Sequence, residues 1–380
     1  MSGRRVAWIG AALALGLAAA PGCGGGDDGG PAETCTVAGG APGFDAAGPL
    51  CTKLSSYQLF DDIAAQAPAD GVVPYDLNTP LFSDYATKYR FLYVPDGQTM
   101  AWDDVESFDL PVGAILVKTF AFLADRREPD GARDLIETRL MIHRADGWEP
   151  AAYLYDPDDQ DATLAIAGAT VDVAWIHDDG SPRTDAYGVP NKNQCKNCHE
   201  EHDDVVGPLG PKARHLNRPG PDGSGIDDQL AHLIDLGVLA GAPADPTTWP
   251  RAAVFDDPST GTVEARARAW LDINCSHCHN PRGAARTSGL DLSLGQTDPY
   301  EYGVCKAPVA AGTGSGDRPY GIVPGDPDQS ILVYRIESTD PAVRMPELGR
   351  NLVHEEGVAV IREWISSMSG GCATVAPPAR

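Results

Sequence analysis

Hydrophobic residues fall into two regimes along this chain. From about residue 75 to 187 they form short alternating or β-branched and aromatic runs. Tyr89 to Val94 ends in the turn Pro95-Asp96-Gly97, and Ala114 to Phe120 is almost wholly apolar. Leu135 to His143 alternates in part before the turn Ala145-Asp146-Gly147. Trp148 to Tyr155, Thr163 to Ile166 and Thr170 to Ile176 follow. Short runs of this composition between turn residues predict antiparallel strands. Ahead of them, Leu54 to Asp62 predicts a short helix. From Pro190 the pattern changes to helices between Gly/Pro-rich loops. Ile226 to Leu239 carries apolar residues at mostly helical spacing. Thr262 to Cys275 predicts a helix with Thr262 as its N-cap, and Asn351 to Met368 predicts the last one. The expected class is α+β, an N-terminal antiparallel β-rich domain over residues 53–189 followed by a helical region. That region divides into 190–255 and 256–372, with a tail at 373–380.

The first residues do not read as fold. Arg4 and Arg5 precede an apolar run from Val6 to Ala20 that is short for a span and ends at Pro21. Residues 1–22 are expected to be a signal peptide. Cys23, among small residues, resembles a bacterial lipidation site, with simple cleavage nearby as the alternative. Residues 23–52 then form a linker whose glycine-rich start is a flexible tether. This predicts a periplasmic protein held to the membrane by lipid alone. The net charge of −25 disfavours nucleic acid and suits protein redox partners, or it only keeps an exported protein soluble. Of nine cysteines, Cys35, Cys51, Cys305 and Cys372 remain after Cys23 and two paired motifs are set aside. In an oxidising compartment they suggest disulfides, Cys35–Cys51 and Cys305–Cys372 by proximity, with the other pairings open.

Those motifs are Cys195-Lys196-Asn197-Cys198-His199 and Cys275-Ser276-His277-Cys278-His279. Each fits covalent attachment of a c-type haem. Two thiols reach the two vinyl groups on one porphyrin edge, and the adjacent histidine sits under the iron. Zinc ribbons place their pairs roughly 15–20 residues apart, whereas cysteines 195 and 275 stand 80 apart. Two covalently bound haem c groups are therefore expected, with His199 and His279 on iron. Met345, in Arg344-Met345-Pro346, lies 66 residues past His279 and is the candidate sixth ligand of the second iron. For the first iron, His202 is one turn from His199 and cannot reach the opposite face. His215 and His232 are the local candidates. Otherwise the iron is five-coordinate or takes a group from the β domain. Arg282, Arg286, Arg318 and Arg344 are candidates for holding propionates.

Residues 262–368 resemble single-domain class I cytochromes c, in which a methionine before proline closes the iron and the first and last helices cross. That likeness implies a crossing near Trp270 and Trp364. The segments Val73 to Asp84, Pro190 to Cys195, Gly207 to Lys212, Leu271 to Cys275, Arg286 to Asp291, Ile322 to Asp326 and Met345 to Gly349 together resemble a bacterial di-haem c-type cytochrome family of unestablished role. The likeness covers roughly residues 50–370 and implies electron transfer in the periplasm. Residues 110–206 also resemble small β-sheet mono-haem cytochromes. That implies a β domain embracing the first haem, with Lys118 or an aromatic facing the iron; an outward strand lysine is the preferred reading. Electron carriage is the expected role rather than catalysis. The alternative is a haem enzyme, peroxidase-like or an oxidase of small nitrogen compounds, with the first haem as reaction centre and the second as relay.

Overall fold

The computed structural model describes residue 35 and residues 41–45, 48–201, 205–309 and 311–372. The expected signal peptide, Cys23, the glycine-rich tether, His202 and the tail lie outside the described residues.

Six strands build one antiparallel sheet in which each pairs with its chain neighbours: β1 (Val72–Tyr75), β2 (Thr87–Tyr93), β3 (Ile115–Leu123), β4 (Arg133–Arg144), β5 (Gly147–Tyr155) and β6 (Ala162–Leu164). Antiparallel neighbours in chain order need no crossover; only β4 and β5 are joined by a tight turn, and β1 is a strand the hydrophobic pattern did not predict. β7 (Ala169–Ile176) and β8 (Pro182–Val189) form a separate hairpin. β8 escaped the hydrophobic pattern because only Tyr187 and Val189 of it are buried.

Both faces of the sheet are covered, so central β3 is apolar except at Lys118 and Thr119. One face packs Ile115, Val117, Leu140, Ile142 and Tyr153 against Leu54, Tyr57 and Leu59. The helix expected over Leu54 to Asp62 is instead a single 3-10 turn, Leu54–Tyr57, followed by a short strand, Phe60–Asp62. Gln58 takes a left-handed conformation (φ 53°) that ends the turn, and Tyr57 is drawn inward by a 2.8 Å bond to the Tyr153 hydroxyl. Cys35 pairs with Cys51 and Cys305 with Cys372, at Cα separations of 5.1 and 5.2 Å.

The opposite face carries two apolar clusters. At one end Leu92, Leu116 and Met141 meet Ala213 and Leu216 of α2 (Ala213–Leu216) and Leu230 and Leu233 of α3 (Gln229–Asp235). At the other end Phe120 and Phe122 meet Trp175 and Tyr187 of the β7–β8 hairpin. Residues 190–255 thus use the sheet as their core. The third body of apolar packing belongs to the C-terminal part. There α4 (Val263–Asn274) crosses α6 (Glu355–Ser367), with α5 (Ile331–Glu337) alongside. Thr262 caps α4 as expected, accepting from the Ala265 amide at 3.2 Å. A Cβ on Gly357 would lie 2.3 Å from Nε1 of Trp270, so glycine inside α6 is what allows the close crossing. Trp270 and Trp364 are both buried there.

The segment Val73 to Asp84 ties these bodies together. Asn78 donates to the Arg214 carbonyl at 3.0 Å, Thr79 to the Ala253 carbonyl at 3.0 Å, and the Phe82 amide to Oδ1 of Asn274 at 2.8 Å. Asp84, 2% exposed, accepts from the amides of Asn351 and Leu352 at 2.7–2.9 Å. The chain is an α+β protein built on a six-stranded antiparallel sheet. No helix among the described residues is long and apolar enough to cross a membrane.

Candidate functional site

The first motif lies on α1 (Lys192–His199). A reciprocal capping box starts this helix: the Gln194 amide donates to Oδ1 of Asn191, and the Asn191 amide to Oε1 of Gln194, both at 2.9 Å. The helix packs on β5, where Lys192 also pairs with Glu149 at 2.6 Å. The second motif continues α4 by one turn. The Cys275 amide bonds to Leu271, and the Cys278 and His279 amides to Cys275, at 2.9–3.2 Å. Gly283 closes the loop beneath it: a Cβ there would stand 2.3 Å from the Cys278 carbonyl oxygen.

Each histidine is oriented by a partner. Nδ1 of His199 donates to the Gly207 carbonyl at 3.0 Å, and Nδ1 of His279 lies 2.9 Å from the Ser288 hydroxyl. Both leave Nε2 uncommitted. Burial, helped by Lys118, pushes His199 down to about 4, and burial, helped by His277 and Arg335, does the same for His279. Both rings are thus neutral at pH 7, the form that binds a metal. Gly207 and Ser288 sit in sequence segments already singled out, but only the fold shows that they hold the imidazoles.

The two motifs meet. Sγ of Cys198, Sγ of Cys278 and a ring nitrogen of His277 lie within 4.8 Å of one another. Cys278 also approaches the Asn197 carbonyl at 4.0 Å. The bond from Cys278 pulls the Cys198 thiol down to about 4, and the same bond raises Cys278. Cys275 is pushed up to about 12 by burial. None of the four motif cysteines is in a disulfide.

Met345 sits on the loop between α5 and α6. Its amide donates to the Arg335 carbonyl at 3.0 Å, and its carbonyl accepts from Nε of Arg350 at 2.9 Å. Arg335 is among the charges that lower His279, and Arg350 among those acting on Cys275. The sequence candidates for the first iron fare differently. His215 is buried with Nε2 bonded to Asp272 at 2.9 Å, which leaves only Nδ1, buried and without a partner. Burial alone would raise Asp272, but His215 and Arg214 overcome it and hold the carboxyl below its usual range. This Arg214–Asp272–His215 cluster joins α2 to α4. His232 lies on α3, which packs with α2 at the Leu92 end of the sheet.

Among the arginines considered for propionates, Arg282 pairs with Glu106 at 3.2 Å on the surface, and Arg286 is exposed. Arg318 bonds to the Asp328 and Gly316 carbonyls. Arg344 keeps a buried Nε without a partner. The residue that sequence reasoning undervalued is Lys118. It is half-buried between Arg90 and Arg139, its ammonium 5.2 Å from the centre of the Phe120 ring, and burial, with Arg139 and Arg90, lowers it to about 7.

No protein-family model, no curated protein and no solved structure matches the chain. What the fold and site define is an α+β protein with two C-x-x-C-H turns brought face to face.

Proposed function

We propose that this chain is a periplasmic di-haem c-type cytochrome, anchored by lipid on Cys23, that exchanges electrons with protein partners. One observation carries the reading. Two motifs 80 residues apart in sequence fold so that Cys198 and Cys278 adjoin, while each following histidine is held through Nδ1 with Nε2 left for a metal. Haem bound at such sites supplies a one-electron couple whose potential follows axial ligation and burial. Cys195 and Cys198 would hold one group and Cys275 and Cys278 the other, through thioethers. His199 and His279 would give their Nε2 atoms, and the Met345 sulfur would complete the second site. The crossing of α4 and α6 at Gly357 supports a class I cytochrome-like C-terminal part.

The Cys198–His277–Cys278 cluster favours a second reading, a thiolate–imidazole zinc site. Denaturing mass spectrometry of protein matured in a haem-attaching periplasm separates the two. Two haem increments that survive denaturation are expected. Zinc in their place, or no increment, refutes the cytochrome reading. The haem-enzyme alternative rests on the cations around the first motif. Electron paramagnetic resonance separates it: a high-spin ferric signal supports catalysis, and two low-spin signals support carriage.

A further inference from the structure

Across three neighbouring strands the sheet sets three cations in one row. Arg90 of β2 stands opposite Lys118 of β3, and Lys118 stands opposite Arg139 of β4. Directly opposed side chains lie about 5 Å apart at Cβ, and like charges there repel. The next row on the same face adds Lys88, in register with Phe120. The stripe runs between the Leu92–Leu116–Met141 cluster and the Phe120–Phe122 cluster. A run of charge bounded on both sides by packed hydrophobic residues is costly unless something answers it.

The protein answers only part of it. Glu137 pairs with Arg139 at 2.5 Å. Asp76 pairs with Arg90 at 3.0 Å but is shared with Arg218 at 3.2 Å. Arg90 is 5% exposed, and its Nη2 is buried with no hydrogen-bond partner. Lys118 has no carboxylate partner among the described residues; its ammonium rests 5.2 Å from the centre of the Phe120 ring. Arg139 and Lys88 crowd the same ring at 4.2 and 5.8 Å. In a chain of net charge −25, carboxylates to neutralise this row were abundant, yet among the described residues only Glu137 and Asp76 pair with it.

We infer that the Arg90–Lys118–Arg139 row is a binding site for an anionic oxygen group, a carboxylate or a small oxyanion, at the first C-x-x-C-H motif. Arg139 stands opposite Ala152 of β5, the strand on which α1 and its motif pack. Two sources offer this chemistry. One is the propionates of haem bound at Cys195 and Cys198, which rests on the cytochrome reading. The other is a free oxyanion, which does not.

The test uses the full matured protein, with its haem content fixed by mass beforehand so that failure of the cytochrome reading is seen separately. Sodium formate and sodium nitrite are titrated at constant ionic strength while the thermal midpoint is followed. A free-anion site gives a saturable rise in midpoint, with half-saturation moved at least tenfold in Lys118→Gln and in Arg90→Gln. A propionate site gives no such response. Instead, the carboxylate bands of the reduced-minus-oxidised infrared difference spectrum move in both variants. If the protein carries no haem, the titration decides alone. A wild type that ignores both anions, with carboxylate bands unmoved in whichever variant folds, overturns the inference.

Discussion

Asp84 offers a quantitative test of how the β domain is fastened to the C-terminal part. Its carboxylate accepts from two backbone amides of the loop leading to α6. Burial nevertheless outweighs those bonds and raises its pKa from 3.8 to about 6. A carboxyl whose folded pKa is raised favours the folded state most when protonated. That contribution is complete below pH 3.8 and is lost as pH rises to about 6. Two units at about 1.4 kcal/mol each make the loss about 3 kcal/mol. Asp84→Asn stays uncharged at every pH, keeps an Oδ1 that accepts both amides, and suits the left-handed backbone at φ 51°. The variant should match the wild type near pH 4 and exceed it in unfolding free energy by up to about 3 kcal/mol at pH 7. Urea unfolding followed by far-ultraviolet circular dichroism, as the difference between variant and wild type across pH 4 to 7.5, measures this. Groups far from Asp84 cancel in the difference, whereas Asp185, whose charge raises Asp84, stays coupled to it. A difference that does not change with pH, or a variant weaker at pH 7 than at pH 4, refutes the argument.

Three further outcomes are expected. Asp272→Ala strands Arg214, whose side chain is 9% exposed, and should cost about 3–5 kcal/mol in urea unfolding, whereas a surface pair would cost under about 1. Gly357→Ala forces a methyl into the Trp270 indole and should cost about 1–3 kcal/mol despite alanine's better helix propensity, read as a drop in thermal midpoint. If the chain carries the two proposed haems, Met345→Ala should lower the midpoint potential of one and leave the other in place, read by a spectroelectrochemical titration; two unchanged potentials would remove Met345 as a ligand.

The C-x-x-C-H turns, the strands between residues 75 and 176, the Thr262 cap and both disulfide pairings were legible because each depends on local spacing or on a short list of candidates. A hairpin, a cap and a C-x-x-C-H turn are decided within a few residues, where side-chain periodicity and backbone geometry act directly. β8 and the turn at Leu54 were misjudged because distant partners decide them: Tyr187 and Tyr57 are fixed by what they touch across the fold. The sequence also marked His215 as a ligand candidate without revealing that Asp272 would take its Nε2.

The two C-x-x-C-H turns, then, are written in the chain itself, since thiols and imidazoles at that interval need only one helical turn to assemble. That Cys198 meets Cys278, that Gly207 and Ser288 steady the two imidazoles, and that Lys118 stands between two arginines were settled by tertiary structure. Strand register and interhelical packing bring together residues tens of positions apart, and no one-dimensional pattern encodes which cation will find a counter-charge and which will be left without one.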